Sequence, residues 1–504
     1  MHSFLQSYSP LSSNNFYFIF CLKKMLQGAN RPHTMPKLFK KIFSKQSYIG
    51  GAAIIAAGGF ISKLLGALYR IPLTSILGGE GMGIYQMVYP LYCILLTVSA
   101  SGIPAGIARL IASGRAPGAE KTAFRLYGFI GAIGTALMFA LSRALSAAQG
   151  EPAVELCCKL LSPAVLCVSF ISVVRGYFQG KGNMVPTALT EICEQLLKVL
   201  AGAAFAVYFR GNLAYAVAST LAAVTVSEFV TALMALSMYS GGRVRRPLFK
   251  ERQAAAGQIL KFTVPITFTA IALPLSQLAE SIIAVNLLRA AHADATALYG
   301  VFSGCAVTII NLPVSVTYGL AAASVPKIAP LAASGDLSAA RRASVNAALI
   351  TAAVSLPCAI GLFAFAPLAC RIIFRSLPPE QLALLVKLVR IMAVNAVTAS
   401  LAQTCSACLT ALGRPSVATV VQWTSCILRV AVAAVLIKFT SLSVTGAAIA
   451  ANVAYFVAAA LNLWYIIANK KTVKKGKKAR SRMQRQSKAV KNGRARASGQ
   501  GDFL

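Results

Sequence analysis

Two basic side chains, Lys63 and Arg70, sit seven residues apart inside one long apolar run. Seven residues make two helical turns, so a helix puts both on one face. Arg offers a planar fork of donors that suits phosphate oxygens, and Lys offers a point charge, so together they suit an anion. A second run carries Glu191, Glu194, Gln195 and Lys198. Glu191, Glu194 and Lys198 recur at i, i+3 and i+7 and share a stripe, and Glu194 to Lys198 is the i,i+4 spacing of a helical ion pair. That pair is either an internal salt bridge or a switch that breaks when a cavity opens. Another run holds Gln422 and Arg429, with Arg429 set either to pair across a bundle or to meet the same anion. Glu280, preceded by Pro274 and Gln277, is an acid suited to exchanging a proton or holding a sodium ion; the bland alternative is a hydrogen-bonded structural Glu. Glu228 is a weaker candidate of this kind. Arg109 and Arg175 lie near the ends of their runs and read as anchors to lipid headgroups.

These charges matter because of where they sit. Twelve apolar runs follow one another near 48–77, 83–113, 121–148, 153–178, 185–209, 213–240, 257–289, 297–325, 341–373, 380–412, 416–438 and 444–468. About 20 apolar residues cross the hydrocarbon core as a helix, and ionisable groups inside such helices are costly and usually face a partner or a cavity. The chain is 57% apolar and only 12% charged, against about 25% charged in soluble domains. The expected fold is therefore an all-α polytopic membrane protein of about twelve transmembrane helices. Working from within the bilayer restricts the chain to a transporter, a channel or a membrane-embedded enzyme. Glycine and proline mark most of the turns, as at Gly78-Gly79, Gly180-Lys-Gly182 and Gly413-Arg-Pro415.

The organisation reads as two halves. Residues 1–47 form an expected cytoplasmic leader, with Met35 a natural start and residues 1–34 read as either an upstream mis-start or a disordered leader. Residues 48–240 make an N-terminal six-helix bundle, 241–256 a cytoplasmic linker, 257–468 a C-terminal six-helix bundle, and 469–504 a basic disordered tail. Short motifs recur between the halves in one order, the clearest being Tyr177-Phe-Gln-Gly-Lys-Gly-Asn-Met-Val-Pro186 against Leu409-Thr-Ala-Leu-Gly-Arg-Pro415. A repeat of one orientation predicts two pseudo-symmetric bundles around a central site; the alternative is chance likeness in Ala- and Gly-rich text. Lys and Arg gather in alternate loops, which places both termini in the cytoplasm and the protein in the cytoplasmic membrane. The tail from Lys470 to Arg496 holds 13 Lys or Arg and no acid, and is expected to bind anionic membrane lipid. Nucleic acid is not expected, despite the excess of 49 basic over 13 acidic residues.

The opening motifs resemble a known family. Ser62-Lys-Leu-Leu-Gly-Ala-Leu-Tyr-Arg-Ile-Pro72, Leu77-Gly-Gly-Glu-Gly-Met-Gly-Ile-Tyr-Gln86, Ser101-Gly-Ile-Pro-Ala-Gly-Ile-Ala-Arg109 and Arg175-Gly-Tyr-Phe-Gln-Gly180 resemble the stage V sporulation protein B branch of polysaccharide transporters. That branch lies in the multidrug/oligosaccharidyl-lipid/polysaccharide flippase superfamily, with its MATE-like and lipid II flippase members. The resemblance covers about residues 45–468. It implies two bundles in a V and alternating-access movement of an undecaprenyl-pyrophosphate-linked peptidoglycan or polysaccharide precursor. On that reading Arg70 is the phosphate contact, with Lys63, Lys198 and Arg429 as further substrate-binding residues. Glu280, Glu194, Glu191 and Gln195 are the ion-coupling or gating group. Coupling to a proton or sodium is expected, with no cofactor, and cell-wall synthases are candidate partners. The rival reading is a cation-coupled multidrug or metabolite antiporter of the same superfamily. One departure stands out: the lipid II flippases carry arginines near the middle of the second helix, where this chain reads Cys93-Ile-Leu-Leu-Thr-Val98.

No enzyme signature competes. There is no phosphate-loop motif, and the three histidines, His2, His33 and His292, fall in the leader or an external loop. Cys405 and Cys408 have CxxC spacing, but no second pair or nearby His accompanies them, so helix packing is the expected role.

Overall fold

A computed structural model describes residues 48–113, 118–239 and 249–468. The expected leader, most of the 241–256 linker and the basic tail lie outside the described residues. Among those described, every element is helical: α1 Tyr48–Ala100, α2 Ile103–Ser113, α3 Ala119–Gln149, α4 Ala153–Leu161, α5 Pro163–Gly180, α6 Val185–Tyr208, α7 Leu213–Met238, α8 Phe249–Ala270, α9 Ala272–Arg289, α10 Ala295–Tyr299, a π-helical segment Gly300–Ala306, then α11 Val307–Ala333, α12 Leu337–Ala364, α13 Ala366–Ile373, α14 Pro379–Ala411, α15 Pro415–Phe439 and α16 Val444–Ala468.

Ten helical stretches are long and apolar enough to cross a membrane. One of them contains two spans, because α1 breaks at Gly78, whose φ of 66° suits a residue without a Cβ. A further span, α6, fails that test only because Glu191, Glu194 and Lys198 interrupt it. With both included, the described residues make the twelve spans that the hydropathy pattern predicts. Their outer faces carry exposed Phe129, Leu349, Ile360 and Phe363. In lipid such faces need no covering, since all backbone groups are satisfied inside the helices.

The chain divides into two compact units: residues to Asn286 with Asp294–Gly300, and Leu287–Ala293 with residues from Val301 onward. The sequence reading puts the boundary in the 241–256 linker; the structure puts α8, most of α9 and α10 in the first unit. The cause is local chemistry. On α8, Thr263 accepts a hydrogen bond from the Tyr127 hydroxyl at 3.2 Å, and Thr267 donates to the Ser101 carbonyl at 3.2 Å. On α9, Ser281 accepts from the buried Gln149 amide at 2.9 Å, and Asn286 donates to the Ala148 carbonyl. α10 lies so close to α1 that a Cβ on Gly83 would sit 2.1 Å from the Thr296 carbonyl oxygen.

Neutral groups join several helices of the second unit. Thr317 on α11 donates to Ser400 on α14 at 2.8 Å, and Thr351 on α12 meets Thr404 on α14 at 3.1 Å. Ser425 on α15 donates to the Ala454 carbonyl on α16, and Asn462 to the Ala402 carbonyl. Cys405 and Cys408 are buried in its apolar core with Ile328, Leu409 and Ile466.

Candidate functional site

The site grows from α6, which opens on Val185-Pro186, where a proline's missing N–H costs nothing. The helix then carries its charged stripe into the first unit. Glu194 holds two cations at once: its Oε2 accepts from the Arg175 guanidinium at 3.0 Å, and its Oε1 from Lys198 Nζ at 3.2 Å. Lys198 Nζ also donates to Glu228 Oε1 on α7 at 3.2 Å. Arg175 Nε donates to the Thr190 hydroxyl at 2.9 Å, which in turn donates to the Thr187 carbonyl. Two cations and two carboxylates thus form a neutral chain across α5, α6 and α7. Neutrality is what makes burial tolerable, since an uncompensated charge away from water costs several kcal/mol. One end of the chain is incomplete: Glu228 is 1% exposed and, among the described residues, its Oε2 has no hydrogen-bond partner, nor has the buried Tyr92 hydroxyl.

A second layer lies on α1. Its first half runs parallel to α6, because the contacts Gly58–Ala188, Gly66–Gln195 and Tyr69–Gly202 advance together along both chains. Small residues allow this approach, as is general for helix pairs in membranes. The register brings Lys63, exposed, into electrostatic range of Glu191. It leaves Arg70 half-buried, within electrostatic range of Tyr85, Tyr89 and Cys93 of the second half of α1. Lys198 is within the same range of all three groups. Tyr85 and Tyr89 are stacked, with ring centroids 5.3 Å apart.

Of the residues singled out from sequence, Lys63, Arg70, Glu191, Glu194, Gln195 and Lys198 therefore lie along the α1–α6 pair of the first unit. The i,i+4 pair Glu194–Lys198 is present, as one link of a longer chain. Glu280 is in the same unit but on α9, 2% exposed beside Ser281. Arg429 belongs to the second unit, on α15, 7% exposed. Arg175, read as a headgroup anchor, is instead committed to Glu194; Arg109 rests over the Phe262 ring at 4.1 Å. The signal for Arg175 was an arginine inside an apolar run with a surplus of acids one span later. Among the described residues no group of three His, Cys, Asp or Glu is placed to hold a metal ion.

Residues 49–332, over half of the chain, match the family model described as "Polysaccharide biosynthesis protein". The chain belongs to that family. Membership agrees with the polysaccharide-transporter branch of the flippase superfamily indicated by the opening motifs. This family member is 27% identical over 303 residues to stage V sporulation protein B of Bacillus subtilis, covering 56% of this chain and 58% of that one. It is 27% identical over 199 residues to lipid II flippase MurJ of the same organism, covering 36% and 37%. The chain thus spans little more than half, or less, of these relatives. Its fold matches an inward-facing multidrug resistance MATE family transporter of the MOP superfamily, with a TM-score of 0.71, 17% identity and coverage of 84% of this chain and 99% of that one. At that identity the likeness concerns fold alone: an all-α, multi-pass membrane protein of the MATE-like kind.

Proposed function

We propose that this chain is a transporter, not an enzyme, and that it flips an undecaprenyl-pyrophosphate-linked peptidoglycan or polysaccharide precursor across the cytoplasmic membrane by alternating access. The observation that carries this reading is Arg70: a guanidinium half-buried in a membrane-spanning helix, within electrostatic range of Tyr85 and Tyr89. The family description and the names of the two relatives support the same cargo class. Arg70 takes a phosphate oxygen, Lys63 raises the local positive potential, and the lipid tail stays in the bilayer. A cargo shifts the conformational equilibrium only by binding its two states differently. A proton or sodium ion at Glu280 supplies further bias.

The competing reading is a cation-coupled multidrug or metabolite antiporter. Its cargo would meet Arg70 as a like charge, which disfavours it. The test is translocation of a labelled lipid-linked precursor in proteoliposomes. Wild type moves the lipid, and Arg70→Ala slows it at least about tenfold, the loss of one charge-assisted contact of about 1.5–3 kcal/mol. A wild-type protein that leaves the lipid in place and exports organic cations would overturn the proposal in favour of the antiporter.

A further inference from the structure

One end of the second unit carries cations that transport does not use. Thr351 of α12 meets Thr404 of α14, and the Arg390 guanidinium lies over the Phe363 ring at 6.0 Å. The two helices therefore run antiparallel, and α13 joins them at one end. About 20 apolar residues cross the hydrocarbon core. Counted forward from Arg342 on α12, or back from Ala411 on α14, that length ends near Phe363 and Arg390, so α13 lies at the level of lipid headgroups. Buried Ala366 and Cys370 hold α13 to the unit, and buried Phe374 and Leu377 hold the turn after it. Phe365, Leu368 and Ile372, at i, i+3 and i+7, share another face, and each is more than half exposed.

From Ala366 to Arg390 the sequence has the basic residues Arg371, Arg375, Lys387 and Arg390 and one acid, Glu380. Arg371 and Arg375 lie at the end of α13 and in the turn after it; Lys387 and Arg390 are one turn apart on α14, against which α13 packs. All four are exposed, and among the described residues none forms a salt bridge. On the orientation that the loop charges predict, this end faces away from the cytoplasm, where basic residues are scarce. The combination selects a partner. An acidic protein would match the cations and leave the apolar row uncovered. A zwitterionic lipid would cover the row, but its amine offsets its phosphate. An anionic lipid meets both, with acyl chains on Phe365, Leu368 and Ile372 and phosphate on the cations. We propose that α13, with Arg371, Arg375, Lys387 and Arg390, is a docking surface for the headgroups of anionic phospholipids in the leaflet at this end. The inference does not depend on the flippase reading.

The experiment uses the full-length protein in phosphatidylcholine vesicles with one local reporter. Leu368→Trp is made together with Trp423→Phe and Trp464→Phe, which remove the two native tryptophans. Its fluorescence is quenched by brominated phosphatidylglycerol or by brominated phosphatidylcholine at equal mole fraction. The anionic lipid is expected to be favoured at least about fivefold, the equivalent of the roughly 1 kcal/mol that one basic side chain contributes at an anionic surface. High salt weakens the preference. Arg371→Gln, Arg375→Gln, Lys387→Gln and Arg390→Gln together bring it near one. Quenching by the zwitterionic lipid stays unchanged in that variant, which shows that α13 is still folded and seated. Asn452 donates to the Ile391 carbonyl and Asn462 to that of Ala402, so α16 runs parallel to α14 and ends far from the reporter. Lipid gathered by the basic sequence after Ala468 is thus kept out of the signal. Equal quenching by the two lipids, a preference that survives the four substitutions, or no quenching by either overturns the proposal. So does displacement of brominated phosphatidylglycerol by undecaprenyl pyrophosphate at a far lower mole fraction, which would assign the surface to the cargo.

Discussion

Both units tie helices together by neutral hydrogen bonds, and the first adds a chain of ion pairs. In the first, α5, α6 and α7 are joined by the chain Arg175–Glu194–Lys198–Glu228. In the second, α11, α12 and α14 are joined by hydroxyl pairs, Thr317 with Ser400 and Thr351 with Thr404. Neutral hydrogen bonds between membrane helices contribute about 0.6 kcal/mol each on average, and a hydroxyl without its partner falls back on its own helix backbone. An ion chain is different in kind: complete, it is near neutral in its effect on stability, and interrupted, it is a liability. If packing were the only requirement, threonines would serve both units. The costlier solution is kept where the first unit's charges border Arg70 and the tyrosines, so the ion chain also sets the local electrostatic environment there.

The sharpest way to break this comparison is to remove Lys198. Lys198→Met leaves Glu228 buried with no cation on either oxygen, while Glu194 keeps Arg175. The expected loss is about 3–5 kcal/mol, the cost of breaking a buried pair from one side. It is to be measured by denaturation in mixed micelles. Lys198→Met combined with Glu228→Gln removes the orphaned charge and recovers most of that loss. A double variant as unstable as the single would mean that Lys198 acts through its packing, and the contrast between the units would lose its electrostatic basis.

How much of this was legible beforehand depends on how far each partner lies along the chain. The spans were legible because apolar runs of this length have few alternatives, and Glu194–Lys198 was legible because both ends share one helix. Arg175 and Glu228 were not assigned to the network, because their partners are brought near only by the packing of three helices. The grouping of α8 and α9 with the first unit was hidden for a related reason. It depends on Thr263, Gln149 and Ser281, uncharged residues whose roles appear only once α2, α3 and α9 are adjacent. Arg429 resembled Arg70 as an arginine in an apolar run, yet the fold puts it in the other unit.

Close approach sharpens the comparison on a middle scale. A Cβ at Gly83 would meet the Thr296 carbonyl at 2.1 Å, and backbone cannot step aside as a flexible side chain can. Gly83→Ala is expected to cost about 1–3 kcal/mol, the usual range for overpacking. Gly361, on α12 of the second unit, has open space where a Cβ would go. Gly361→Ala is therefore expected to be neutral, or to stabilise by up to about 1 kcal/mol through helix propensity. If the two substitutions behaved alike, contact with α10 would not be what holds the second half of α1 in place.

The smallest effect tests the neutral side of the contrast. Thr351→Val removes one hydroxyl from the α12–α14 contact and leaves a side chain of similar shape. Thr404 can then turn to a backbone carbonyl of its own helix, so no buried group is stranded as Glu228 is in the Lys198 variant. The expected cost is about 0.6 kcal/mol and no more than about 1.7, measured under the same micelle conditions. Thr351→Val with Thr404→Val should cost scarcely more than either alone, because the two hydroxyls form one bond. A loss of 3 kcal/mol or more in the single variant would show that this hydroxyl pair is as demanding as the ion chain, and the two units would no longer differ in how they tolerate the loss of a partner.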